Sequence, residues 1–149
     1  ESRTGGLPGR GRSVLGGMMS FLEDLAGKLN TAGVGVYPGT SSTRTIYIGE
    51  MPDTPDACIA LYARPGRRPA MHSGGDIRQP DLHVEVRAAT YSAAVAKLSA
   101  VDAALHRTGN YTVGSIRYVS IQAIQEMVSL GRDGRNRSLV SQNFEVKYE

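Results

Sequence analysis

Hydrophobic positions recur along this chain with two different periods. From Phe21 onward, Leu22, Leu25, Ala26 and Leu29 fall at i, i+3, i+4 and i+7, one apolar stripe of an amphipathic helix. Ser20 and Glu23 read as a capping box at its start, each able to satisfy an orphan backbone N–H. Asn30 to Gly33 end it, and Gly33 suits the left-handed position that follows a helix. A second helical pattern covers 92–106, with a buried seam of Leu98, Val101 and Leu105, Ala94 and Val95 one turn earlier, and Gly109-Asn110 as its stop.

The other period is two. Over 82–88, Leu82, Val84, Val86 and Ala88 alternate with His83, Glu85 and Arg87, the pattern of a strand with one apolar and one polar face. Over 138–148, Phe144, Val146 and Tyr148 alternate with Asn143, Glu145 and Lys147. Residues 57–63 are apolar on both faces and predict a central strand, with shorter strands at 34–37 and 45–50. Residues 111–125 read as extended with an irregularity near Gly114. Asp133-Gly134, between two extended runs, signals a hairpin. The stretch 51–56 is a rigid connection because Pro52 and Pro55 fix their own backbones and restrict their predecessors. Residues 64–80 hold three prolines, three glycines and four arginines and read as one long functional loop.

The predicted order is therefore α-β-β-β-β-α-β-β. Two helices cannot cover both faces of such a sheet. The expected class is α+β: an antiparallel or mixed β-sheet with two α-helices packed on one face, the opposite face open to water or a partner. Residues 18–149 form the domain, and residues 1–17 a Gly/Arg-rich arm expected to lie against a neighbouring subunit.

Composition sharpens this picture. A chain of 149 residues buries one core, here without tryptophan and with only two phenylalanines. Leu, Val, Ile and Ala must build that core, with the seven tyrosines at its edges. Such a core favours further burial against other subunits. The net charge of +3 is concentrated at Arg3, Arg10 and Arg12 in the arm and at Arg64, Arg67 and Arg68 in the Pro/Gly stretch. No aromatic stacking motif accompanies these arginines, so they read as interface or solvated groups before nucleic-acid contacts. No apolar run approaches the ~20 residues of a membrane span, and no secretory signal is visible, which points to a soluble compartment.

Candidate chemistry is sparse. His72, His83 and His106 lack ligand-spaced neighbours, and His83, on a polar strand face, reads as solvated or interfacial. Cys58, alone in an apolar run, reads as a small core residue. The Gly-rich run from Gly5 to Gly11 lacks the ending of a phosphate loop. Asp53, Asp56, Asp76 and Asp81 sit in or beside Pro-rich turns, where Asp caps local backbone N–H groups. No catalytic residue, metal or cofactor is expected, and nothing argues for an enzyme.

Several segments, in order, carry a family resemblance: the leading helix with its Gly-rich exit; Gly49-Glu50-Met51-Pro52-Asp53-Thr54-Pro55-Asp56 entering Cys58-Ile59-Ala60-Leu61-Tyr62; Pro80-Asp81-Leu82 through Ala88 leading into Tyr91-Ser92-Ala93-Ala94; and Gly131-Arg132-Asp133-Gly134-Arg135 before Ser141-Gln142-Asn143-Phe144-Glu145-Val146. From Ser20 onward the chain resembles the minor capsid and tail-terminator proteins of long-tailed bacteriophages. The arm before Met18 has no counterpart in that resemblance.

What the resemblance implies is a structural virion protein of the neck. It would form a homo-oligomeric ring, usually hexameric, on the last ring of the tail tube, stop tube polymerisation and join the tail to the head-side connector. Its partners would be further copies of itself, the tail-tube protein and the connector protein. DNA would pass through the ring without specific binding, no membrane would be involved, and assembly would take place in the host cytoplasm. Arg10, Arg12, Arg64, Arg67, Arg68 and Arg78 are the expected interface residues, suited to forked hydrogen bonds with a neighbour's carboxylates at Asp24, Asp102 or Glu126. Two alternatives stand beside this reading: another neck or head-completion protein, and a small basic nucleic-acid-binding module.

Overall fold

The computed structural model describes residues 14–37, 43–72 and 75–149. Helix α1 spans Val14–Thr31 and helix α2 Tyr91–Leu105. The strands are β1 (Ile46–Ile48), β2 (Cys58–His72), β3 (Gly75–Ala88), β4 (Thr108–Val113), β5 (Ile116–Ala123), β6 (Val128–Arg132) and β7 (Ser138–Tyr148). The α+β class holds, but strands dominate and their order differs from the expected one.

The predicted stripe of α1 is buried together with Phe21, as apolar burial on one helix face requires. Its exit is also as expected. Gly33 has φ +80, the Val34 amide donates to the Leu29 carbonyl at 3.0 Å and the Gly33 amide to the Asn30 carbonyl at 3.1 Å. The start is a correction. The helix begins at Val14, so Ser20 stands inside it and not at its N-cap position. Once the periodic segment has nucleated a helix, each added residue gains a hydrogen bond, and Gly16 and Gly17 do not stop it. Residues 14–17 are thus helical and not part of an extended arm.

Helix α2 is capped by Thr90, whose Oγ1 accepts from the Ala93 amide at 3.2 Å, and it buries Ala94, Leu98, Val101 and Leu105. It ends before Gly109-Asn110. Arg107 turns the chain with φ +63, and Gly109 and Asn110 already belong to β4. The irregularity at Gly114 is the turn of a β4–β5 hairpin, with φ +59.

The sheet has seven strands in the order β1-β2-β3-β7-β5-β4, and β6 also pairs with β7. β1 runs parallel to β2 and every other pair is antiparallel, so the sheet is mixed. β2 is interior, as its apolar faces predict. The 34–37 segment forms no strand of its own. It lies beside β1 through the Thr45 and Ile46 amides, both donating to the Val36 carbonyl at 3.2 Å.

The largest correction concerns 64–80. This stretch is not a loop but the outer part of the β2–β3 hairpin, with Arg64 opposite Asp81, Arg67 opposite Gln79 and Ala70 opposite Ile77. Register shifts fall between Arg64 and Arg67 and between Arg67 and Ala70. Pro65 and Pro69 lie in those shifted stretches, where a missing N–H does least damage to a ladder. Gly66 is required there, because a Cβ would lie 2.0 Å from the Gln79 carbonyl oxygen.

One apolar cluster joins both helices to β1, β2, β3, β5 and β7. Tyr118 is fully buried in it, not at its edge. Its hydroxyl donates to Asp24 Oδ2 at 2.6 Å, which satisfies the polar tip. Tyr148 packs between Tyr118, tilted against it with ring centroids at 5.7 Å, and Phe21, stacked on it at 6.1 Å. Asp24 is thereby engaged within the subunit.

Candidate assembly interface

Two of the three polar residues over 82–88 do not face solvent, the third, Glu85, being partly exposed. His83 and Arg87 are buried, which corrects the expectation of a solvated histidine. His83 Nδ1 lies 2.6 Å from Asn143 Oδ1 on β7, and Nε2 lies 2.9 Å from Glu85 Oε2. The Tyr62 ring on β2 covers the imidazole at 5.8 Å. Arg87 reaches out of the strand to the 52–56 loop. Its Nε donates to the Asp56 carbonyl at 3.0 Å and its Nη2 to the Pro55 carbonyl at 2.6 Å. A buried guanidinium needs such acceptors, since an unpaired buried charge costs several kcal/mol, on the order of 3–5 when one partner is removed.

The same loop is gripped from the β6–β7 turn. Asp133, Gly134, Arg135 and Asn136 make that turn: the Asn136 amide donates to the Asp133 carbonyl at 3.0 Å, and Asn136 takes a left-handed φ of 63. Arg137, only 6% exposed, donates from Nη1 to the Asp53 carbonyl at 2.6 Å and to Asp56 Oδ1 at 3.0 Å. Its Nη2 reaches Asp53 Oδ1 at 3.1 Å, and its Nε meets Asp133 Oδ2 at 2.8 Å. Asp53 and Asp56 were expected to cap their own turn; instead they serve an arginine from the other end of the chain. Asp81 is a strand residue of β3. The Asp133 carboxyl is held down at about 2 by the backbone N–H of Arg137, then by the Arg137 side chain and the Arg135 N–H.

Cys58 is buried as expected, with Sγ 3.1 Å from Met51 Sδ. Burial pushes its thiol up, against the opposing pull of Arg87 and Arg137, so it stays protonated at neutral pH. Among the described residues no group of His, Cys, Asp or Glu is arranged to hold a metal ion, and no helix is long and apolar enough to cross a membrane.

The apolar surplus lies on the opposite flank of β7. All five residues of β6 are exposed, Val128 at 44% and Leu130 at 46%, and Ile124 just before it at 51%. Among the described residues β6 pairs with β7 alone, so its outer edge carries backbone groups outside any ladder next to exposed hydrocarbon. Sequence reasoning missed this surface, although Val128-x-Leu130 beside an Asp-Gly turn has the period of a strand with no core to enter. Of the arginines picked from sequence, Arg64 and Arg78 are exposed on the β2–β3 hairpin. Arg10 and Arg12 lie outside the described residues, as do the side chains of Arg67 and Arg68. Arg87 and Arg137, which organise the polar side, were not among those picked.

The described residues thus form a mixed sheet with two helices and an exposed apolar strand at β6. The fold is shared with a chain from a solved structure described as "Virion of native gene transfer agent (GTA) particle". The two chains are 18% identical with a TM-score of 0.62, over 89% of this chain and 97% of that one. No curated protein matches the chain. Residues 28–149 match the family model for bacteriophage tail terminator protein, and the chain belongs to that family. It is a structural tail protein of a virion. The match begins at Lys28, so most of the leading helix lies before it.

Proposed function

We propose that the chain is one subunit of a homo-oligomeric ring, hexameric by family resemblance, at the head-proximal end of the tail. There it stops tail-tube polymerisation and joins the tail to the head-side connector. Its work is done by surfaces and not by catalysis, and DNA passes through the ring without specific contact. In this reading both helices lie on one sheet face, which their shared core cluster and direct α1–α2 contact support. The exposed Arg64 and Arg78, together with Arg67, Arg68 and the residues before Val14, meet neighbouring subunits or rings.

The observation that carries the proposal is the exposed edge of β6 with Ile124, Val128 and Leu130. A ring is built from heterologous contacts, each joining two different patches, and an unpaired strand edge rimmed by apolar side chains is one such patch. Light scattering and negative-stain imaging of the purified chain, alone and with tail-tube protein, test the reading. Closed rings in either sample are the expected result. A chain that remains monomeric in both rules the proposal out.

A further inference from the structure

The 52–56 loop is held from two parts of the sheet at once. Arg87 anchors it to the C-terminal end of β3 through the Pro55 and Asp56 carbonyls. Arg137 and Arg135 bind it to the β6–β7 turn. Asp53 accepts from Arg137 through its carbonyl and Oδ1, and pairs through Oδ2 with Arg135 Nη2 at 2.7 Å. The Arg137–Asp53 contacts join residues 84 positions apart.

Without them, the turn end of the β6–β7 hairpin is held by its ladder to β7 with no other strand beside β6 among the described residues, while the far end is tied down by Met127 against the core and by the Ile124 amide and Gln125 carbonyl on β7. That ladder is itself interrupted between Ser129 and Gly131. A planar guanidinium fork tolerates little tilt before one of its bonds is lost. Pro52 and Pro55 stiffen the loop it grips, each with a backbone angle set by its ring.

We propose that the 52–56 loop is a clasp: through Asp53 and Asp56 it fixes the angle of the β6–β7 turn and so presents Val128 and Leu130 in one orientation. Arg137 is the positioning residue that carries the coupling, and Arg87 keeps the loop itself in register with β3. The exposed edge is thus set by a loop that does not touch it in sequence.

Hydrogen exchange of the full chain, wild type against Asp53→Asn/Asp56→Asn, tests the clasp. Amides of 128–137 should exchange about tenfold faster in the variant, while those of 58–63 and 82–88 change less than about twofold. Equal acceleration everywhere would mean the loop only adds to global stability and would overturn the proposal, as would unchanged exchange at 128–137. If the double variant does not fold, Asp53→Asn alone reads the same segment by the same criterion. Arg137→Lys keeps the charge but not the fork and should behave like the double variant; wild-type exchange in it would overturn the positioning role. The consequence for assembly rests on the ring reading, and there the double variant should form fewer rings than wild type. A wild-type chain that never forms rings removes that reading and leaves the exchange pattern to judge the clasp by itself.

Discussion

β3 and β6 flank the same four residues of β7, since 138–141 pair with 85–88 on one edge and with 128–132 on the other. They treat their side chains in opposite ways. β3 buries its charge: His83 and Arg87 are enclosed, both imidazole nitrogens have an acceptor nearby, and Nε and Nη2 of Arg87 donate to carbonyls of the 52–56 loop. β6 exposes its hydrocarbon: Val128, opposite Ser141, and Leu130, in the register shift, are both about half exposed. In a monomer selected for stability alone, burying about 25 cal/mol per Å² of apolar surface would favour the reverse arrangement. The difference teaches that β3 serves the subunit, while β6 is shaped for something outside it.

Two leucines sharpen the comparison. Leu82, 0% exposed in β3, should cost about 2–5 kcal/mol of folding stability when replaced by alanine, read as a shift in the urea midpoint with an unchanged slope. The next effect in size falls on association. Val128→Asp/Leu130→Asp should weaken self-association by about 100-fold or more, because a carboxylate must then be desolvated at the contact. Sedimentation of the variant as wild-type rings would break the comparison at that point.

Arg87→Ala leaves the Pro55 and Asp56 carbonyls without donors. It should destabilise the chain by about 1–3 kcal/mol, measured in the same urea titration, with Cys58 becoming more reactive to a thiol reagent as the loop loosens. A smaller effect is expected from acid. The Asp133 carboxyl is lower in the folded chain, about 2, than the ordinary 3.8. Its contribution is therefore present above pH 3.8 and is lost as pH falls through about 2. The gap in stability between wild type and Asp133→Asn should close over that window; a gap constant with pH would show that the carboxylate charge plays no part. The smallest effect is that of Leu130→Ala on the monomer, within about 0.5 kcal/mol of wild type. A larger loss would mean that β6 belongs to the core after all.

Much of the fold was legible because local pattern and local structure share a cause. The seam of α2, the alternation over 82–88, the exit at Gly33 and the Asp-Gly hairpin all appear where periodicity and turn chemistry place them. The hairpin over 64–80 was not legible. Its prolines and glycines occupy bulges, and composition alone does not separate a bulged ladder from a loop. The start of α1 was missed because a capping box describes a possible first turn and cannot stop a helix from extending past it. At the candidate interface, arginine composition led to Arg64 and Arg78, which are exposed, but not to the apolar edge of β6.

The amino-acid sequence by itself determined the class of fold, the two helical stripes, the polar and apolar faces of β3 and β7, and the family resemblance. Only the tertiary structure decided which polar residues lie inside and which apolar residues lie outside. Periodicity records how each side chain projects from its own strand. Whether a second strand, a loop or water meets it there depends on contacts such as Arg137 with Asp53, formed between residues that the chain itself keeps far apart.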